Sequence, residues 1–383
     1  MRTAKLKDIT LTITDGKHGD CKNHDGSGYY FISCKDVYDE TIHYENARQI
    51  TEDDFRDADR RTNLAAYDIL ITNSGTIGRM ALVKDIPETR KTTFQKSVAI
   101  VRADTSQVVP NYLYYLLKSK VHDFINSSNG SAQKNLLLST MRDFDISFVD
   151  SLETQHRIAT ILSRYDSLIE NYQKQIKLLE EAALRLYKEW FVDLHFPGHE
   201  NTKIVDGVPK GWTSSQLGQL AEFKRGKTIT KKDIIDGDIP VVAGGLEPAY
   251  YCNKSNTAER VITVSGSGAN AGFTRMYFEK VWASDCSFVD ASTTPFLHFV
   301  YCFLKDNKTT IDNLQKGAAQ PHVYAKDINS MGICIPIESV LKSFEGKASK
   351  YFDTISSLQS QIRLLTEARD RLLPKLMSGE IAV

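Results

Sequence analysis

The chain has 383 residues, with 48 lysines and arginines against 48 aspartates and glutamates, so its formal net charge at pH 7 is zero. That length predicts about two to three domains. The balance excludes a protein that grips nucleic acid through bulk positive charge, while leaving room for local basic surfaces.

No run of 18 apolar residues marks a membrane span, and Met1–Asp8 lacks the apolar stretch of a signal peptide. A soluble, cytoplasmic protein with no membrane partner is expected. Six cysteines (21, 34, 252, 286, 302 and 334) include no C-x-x-C pair. They read as free thiols in a reducing compartment, not as a disulfide frame or zinc ribbon.

Residues 1–150 read as a first globular unit. Short apolar runs at Tyr29–Ile32, Asp68–Thr72 and Ser97–Val101 sit between turn residues, as strands do. Residues 39–61 are charge-dense and on balance acidic, which predicts a solvated insertion. Within 111–126, Leu113, Leu116, Leu117, Val121 and Phe124 recur at helical spacing. From 153 to about 194 the period is helical throughout. Ile158, Ile161, Tyr165, Leu168, Tyr172, Ile176, Leu179, Ala183, Leu186 and Trp190 step by three and four. Two successive steps of four mark a stutter in a heptad-like stripe. Pro197-Gly198 should end the helix, whose roughly forty residues span about 60 Å at 1.5 Å each.

A polar linker over 198–215 ends in Val208-Pro-Lys-Gly-Trp212. Residues 216–337 then read as a second unit of short strands, Ile239–Val242, Arg260–Val264 and Ser287–Val289. A second long helix follows over 338–383, with its stripe at Phe352, Ile355, Ile362, Leu365, Leu372 and Leu376. Pro374 should bend or fray its last turn. The expected plan is thus a domain at 1–150, a long helix at 151–197, a linker, a domain at 216–337 and a long helix at 338–383. The two stripes can bury on each other as an antiparallel pair.

The second half repeats the first. Gln175-Ile-Lys-Leu-Leu-Glu-Glu-Ala182 returns as Gln361-Ile-Arg-Leu-Leu-Thr-Glu-Ala368, identical at six of eight positions. Tyr165-Asp-Ser-Leu168 returns as Phe352-Asp-Thr-Ile355, and Gly130-Ser-Ala-Gln133 as Gly317-Ala-Ala-Gln320. Ser74-Gly-Thr-Ile-Gly78 faces Ser267-Gly-Ala-Asn-Ala-Gly272, and Gly16-Lys17 faces Gly226-Lys227. The order is the same, but the separation falls from 210 at the Gly-Lys pair to 186 at the helix, so the globular parts differ by insertion. The fold class that follows is α+β, a tandem duplication of a strand-rich domain plus a long helix.

Catalytic motifs fail on inspection. Gly266-Ser-Gly268-Ala-Asn-Ala-Gly272 has the spacing G-x-G-x-x-x-G and is followed by a strand-like run where a dinucleotide site needs a helix. Gly226-Lys-Thr228 ends like a P-loop, but the glycine required five residues earlier is Ala221. No Pro-Pro dipeptide exists to build the methyltransferase motif N/D-P-P-Y/F, and the nine histidines suggest no metal-ligand cluster.

What recurs instead is polar side chains beside small, turn-forming residues. The candidate DNA contacts are Lys17, Ser74, Thr76, Gln133 and Lys134 in the first half, and Lys227, Ser267, Asn270, Lys316 and Gln320 in the second. Lysine suits phosphate or guanine, glutamine and asparagine suit adenine, and serine suits either, while glycine lets backbone amides approach a phosphate. At any single position a solvated loop is an equal alternative. The set, duplicated in order, points to a shared binding role.

With these motifs in place, the chain resembles a specificity subunit of a type I restriction–modification system over essentially its whole length. The telling residues are Val208-Pro-Lys-Gly-Trp212 with Leu217-Gly218 and Leu220, the Gly-x-Ala-Gln pair, Leu186-Tyr-Lys-Glu-Trp-Phe191, and Leu372-Leu-Pro-Lys-Leu-Met-Ser-Gly-Glu380. The first half departs by lacking the Pro-x-Gly-Trp opening. The resemblance implies two target-recognition domains on an antiparallel coiled coil, each reading half of a split double-stranded DNA target. It implies no cofactor in this chain. Two methylation subunits would bring S-adenosylmethionine, and restriction subunits would bring ATP and Mg2+. Tyr187, Trp190, Phe191 and Leu376 are then expected at partner-docking surfaces. The rival is a structural coiled-coil protein whose globular ends bind proteins, and DNA binding competed by one split sequence alone would separate the two.

Overall fold

The computed structural model describes residues 1–128, 135–317 and 320–383. The chain forms two units, one of residues 1–170 with 363–383 and one of residues 171–362. Among the described residues no helix is long and apolar enough to cross a membrane.

In the first unit, Arg2–Lys5 pairs antiparallel with Asp145–Phe148. The main sheet is antiparallel, with strands in the spatial order Thr10–Asp15, Val98–Ala103, Ile69–Thr72, Met80–Leu82. Its apolar run is continuous because both faces are covered. Ile69, Ile71, Ala99 and Val101 pack with the helix Pro110–Ser119, while the alternating Leu70, Val98 and Ile100 pack with Ile32 and Phe94. Tyr30–Ile32 and Thr92–Phe94 form a parallel pair under that second face.

The second unit repeats this sheet plan. Thr213–Gln216 pairs with Gly332–Ile335. The main sheet runs Lys224–Arg225, Cys286–Asp290, Val261–Ser265, Thr274–Tyr277, again antiparallel throughout. Ile239–Val242 and Trp282–Ala283 form the parallel pair, and the helix Leu297–Asp306 follows the sheet as Pro110–Ser119 does. Strand order and direction match at every step, so the duplication seen in sequence is a duplication of fold.

The long helices, Leu152–Tyr187 and Glu338–Ser378, each give one end to each unit. In the first unit Ile158, Ala159 and Leu162 share a core with Leu373, Leu376 and Met377. In the second, Ala183 and Tyr187 share one with Phe344, Ala348, Phe352 and Ile355. Within each unit the start of one helix therefore meets the end of the other, and the pair is antiparallel.

Three local expectations differ from what is found. The first helix stops at Tyr187, ten residues before Pro197, and a wider turn over Lys188–Val192 leads to Leu194 in the left-handed region at φ +61°. That wider turn carries Trp190 into the core of the second unit. The second helix runs unbroken through Pro374 to Ser378, because burial of Leu373, Leu376 and Met377 outweighs the hydrogen bond that proline forfeits. The acidic stretch 39–61 is more than a solvated insertion. Its part Glu52–Thr62 is a helix, capped by the Thr51 hydroxyl, that buries Phe55, Ala58 and Thr62.

The same stretch sends Glu40 into a charged cluster of the first unit. Arg369, only 6% exposed, donates to Asp166 Oδ1 at 2.5 Å and to Glu40 Oε2 at 3.1 Å. Glu40 accepts from Lys118 Nζ at 2.5 Å and from Tyr114 OH at 3.2 Å, while Tyr115 OH donates to Asp166. Burial pushes the Glu40 carboxyl up, but Lys118 and Arg369 outweigh it and hold its pKa below the usual value. A carboxyl with a depressed folded pKa stabilises fully above its unfolded pKa, about 4.3, and loses that contribution as pH falls through the folded one. Melting temperature of the first unit should thus drop on acidification below about pH 4.3. Glu40→Gln should be less stable at neutral pH and flatter in acid; equal acid slopes in parent and variant would refute the assignment.

Candidate nucleic-acid interface

The duplicated Gly-Lys pairs are explained by close packing. Gly16 N donates to Val98 O at 3.2 Å and Lys17 N to Phe94 O at 2.8 Å. In the second unit Gly226 N donates to Cys286 O at 2.8 Å and Lys227 N to Ala283 O at 2.9 Å. A Cβ on Gly16 would lie 2.1 Å from Phe94 O, and one on Gly226 2.3 Å from Ser284 O. Neither position has room for a side chain.

The turn beside them is also repeated. Ser74 bridges to Asn135, and Ser267 to His322, both antiparallel. Leu136 N donates to Asn73 O at 2.8 Å, and Val323 N to Gly266 O at 3.1 Å. Gly75 and Gly78 have φ of +76° and +89°, and Gly268 and Gly272 +79° and +86°, the left-handed region that favours glycine. The two turns thus present Ser74 and Ser267 in one backbone setting, each against the chain that follows the Gly-x-Ala-Gln motif.

In the second unit these contacts gather most of the sequence candidates. Gly268 N donates to Pro321 O at 3.0 Å, tying the turn that carries Ser267 and Asn270 to the loop that carries Gln320. Lys316 and His322 exchange backbone hydrogen bonds at 2.9 Å in both directions. Asp285 joins the cluster from the strand edge, accepting from the Ser267 hydroxyl and lying 3.6 Å from Arg225. Lys224, Arg225 and Lys227 are all exposed on the adjoining strand and turn, a local basic edge that the neutral whole-chain charge conceals.

Comparison with known proteins decides the family. A model described as "Type I restriction modification DNA specificity domain" matches residues 3–181 and again 209–369. The chain belongs to this type I specificity family. The MjaIX type I restriction enzyme specificity subunit of Methanocaldococcus jannaschii is 30% identical to it, over 94% of this chain and 89% of that protein. The HindI specificity subunit of Haemophilus influenzae is 21% identical over 74% and 80%. The crystal structure of a type I restriction–modification S subunit from M. genitalium superposes with a TM-score of 0.57, at 16% identity, covering 98% of this chain and 96% of that one. It carries the same fold.

Within this type I specificity chain the sequence candidates have different surroundings. Lys227, Thr76 and Gln320 are exposed, Ser74 and Asn270 half-buried. Lys17 is ion-paired, 3.0 Å from Asp57 and 3.7 Å from Asp54, and the Asp57 carboxylate raises its pKa. Lys316 is ion-paired to Asp327 at 2.8 Å. Gln133 and Lys134 lie outside the described residues.

Three of the four residues expected at docking surfaces are core residues instead, and the fourth, Phe191, is half-buried against the same core. Tyr187 and Trp190 are buried, and Phe191 is packed 4.8 Å from Phe299 and 5.0 Å from Phe344, ring centre to ring centre, in the second unit. Leu376 is fully buried in the first. Their large apolar surfaces are satisfied by their own unit, which is the reason they recur at the helix ends. Sequence reasoning missed Arg225, Asp285 and His322. His322 stands two residues after Gln320, as Asn135 stands after Gln133, and that offset was the available signal. Burial pushes the Cys286 thiol up to about 12, which keeps it protonated and unreactive beside the cluster. Among the described residues no three His, Cys, Asp or Glu side chains converge as a metal site requires.

Proposed function

We propose that this chain reads a split double-stranded DNA target, one half through the loop cluster of each unit, and scaffolds the methylation and restriction subunits of its complex. The observation that carries this reading is the duplicated cluster itself. Two units build the same turn from the same backbone hydrogen bonds while presenting different side chains on it. That is the arrangement expected of two readers tuned to two sequences. The exposed Lys224, Arg225 and Lys227 would position phosphates, and the turn residues would meet base edges. In this reading the chain supplies recognition, and methyl transfer, translocation and cleavage belong to partner subunits holding S-adenosylmethionine, ATP and Mg2+.

The long helices are the natural spacer, which gives a direct test. Each passes from one unit to the other once, after Glu170 and after Ile362. One heptad inserted at both points leaves the internal packing of each unit untouched and keeps the apolar stripes within about 20° of phase. Seven residues add about 10 Å, or about three base pairs at 3.4 Å each. Methylation mapping of the assembled complex should return the parental half-sites with a gap wider by up to about three base pairs. An unchanged gap, altered half-sites, or a parent complex that methylates no split motif would each sink the reading.

A further inference from the structure

Asp285 brings a carboxylate into the second unit's loop cluster from the strand edge. Its Oδ2 accepts from the Ser267 hydroxyl, and its Oδ1 lies 3.6 Å from Arg225, too far for a hydrogen bond. Two glycines leave it uncovered. A Cβ on Gly266 would sit 3.2 Å from Oδ1, and one on Gly244 3.7 Å from Oδ2. The side chain remains 38% exposed. A carboxylate has about four acceptor positions, and the described residues fill one of them with a hydrogen bond.

The first unit holds a different residue at the same place. Asn73 N donates to Ser97 O at 3.0 Å as Gly266 N donates to Asp285 O at 3.1 Å. The next residues, Val98 and Cys286, accept from Gly16 and Gly226. Backbone correspondence therefore matches Ser97 to Asp285, with an uncharged hydroxyl in one unit and an anion in the other. In the first unit the Ser97 hydroxyl is occupied locally, accepting from Cys34 N at 3.1 Å.

An anion at a DNA-facing surface repels phosphates, so phosphate positioning cannot be its use. On base edges it suits only a donor, and the major-groove donors are the exocyclic amino groups of cytosine and adenine. We infer that Asp285 is a specificity determinant of the second unit, accepting a hydrogen bond from an exocyclic amino group in the half-site that unit reads. This rests on the DNA-reading function proposed above. At the matching place in the first unit Ser97 offers a neutral hydroxyl already engaged by Cys34 N, so no anion faces that half-site there.

Selection from a randomised DNA library by the complex of this chain with its methylation subunits tests the assignment. The parent should select a split motif in which one position of one half requires cytosine or adenine, and the base selected identifies which amino group is read. Asp285→Asn and Asp285→Ser should relax or change that position by about ten- to a hundredfold, leaving the other half-site intact as an internal control of folding. Ser97→Asp should impose a new amino-bearing preference on the other half, which keeps the test open should both Asp285 variants fail to fold. An unaltered motif in the Asp285 variants, uniform loss across both halves, or a Ser97→Asp variant with the parental motif would each overturn it. A parent that selects no split motif would instead remove the function on which it depends.

Discussion

Arg369→Ala should destabilise the first unit by about 1–3 kcal/mol, because it removes a buried guanidinium from two half-buried carboxylates, of which only Glu40 keeps another cation, Lys118. The two, Glu40 and Asp166, come from segments far apart in sequence, and the guanidinium that joins them is almost wholly buried. Arg369→Lys should recover only part of the loss, because a single ammonium cannot serve both carboxylates in the geometry of a planar fork. Replacing the whole cluster, as Arg369→Met with Glu40→Gln, Asp166→Asn and Lys118→Met, should recover more than the lysine does, since none of its charges is left uncompensated. Urea unfolding of the four proteins measures this. An alanine variant within about 1 kcal/mol of the parent, the range of an exposed ion pair, would refute the buried-cluster account.

Gly226→Ala should damage the second unit, and Gly16→Ala the first, by about 1–3 kcal/mol or more. Neither glycine has a positive φ, so the cost is steric. The added methyl meets the carbonyl oxygen of a neighbouring strand end, 2.3 Å away at Gly226 and 2.1 Å at Gly16, and backbone yields less readily than a side chain. Hydrogen exchange should show protection lost at 283–286 in the first variant and at 94–98 in the second. In the assembled complex each variant should blur one half-site and spare the other. Full protection with an intact motif would show that these glycines are incidental.

Most of the fold was readable because duplication is visible without structure. Gly16-Lys17 and Gly226-Lys227, and the two long apolar stripes, match in order in the sequence, and the Gly-Lys pairs have the same backbone geometry in both units. What escaped was whatever depends on partners distant in the chain. Glu40 looked solvated within its acidic neighbourhood, yet it pairs with a residue 329 positions away. Trp190 and Phe191 looked like a docking motif because a sequence displays aromatic residues without displaying what covers them. A search for repeats also has its own blind spot. It finds positions where the halves agree, such as Ser74 with Ser267, and passes over Ser97 and Asp285, which occupy one place and differ. If the halves read different bases, the differing positions are where the difference must lie.

The division of the chain also sets an order of events during its synthesis. The second unit is one uninterrupted segment, 171–362, whereas the first is closed only by 363–383, which bring Arg369, Leu373, Leu376 and Met377 to a core laid down more than two hundred residues earlier. Domains on a ribosome generally mature from the amino end. Here the reverse holds: the unit translated first stays open, with Asp166 awaiting its cation and an apolar face unsealed, until residues 363–383 emerge. A released chain ending at residue 362 would carry the whole second unit and an unfinished first one, so holdase chaperones would be needed longest by the part made earliest.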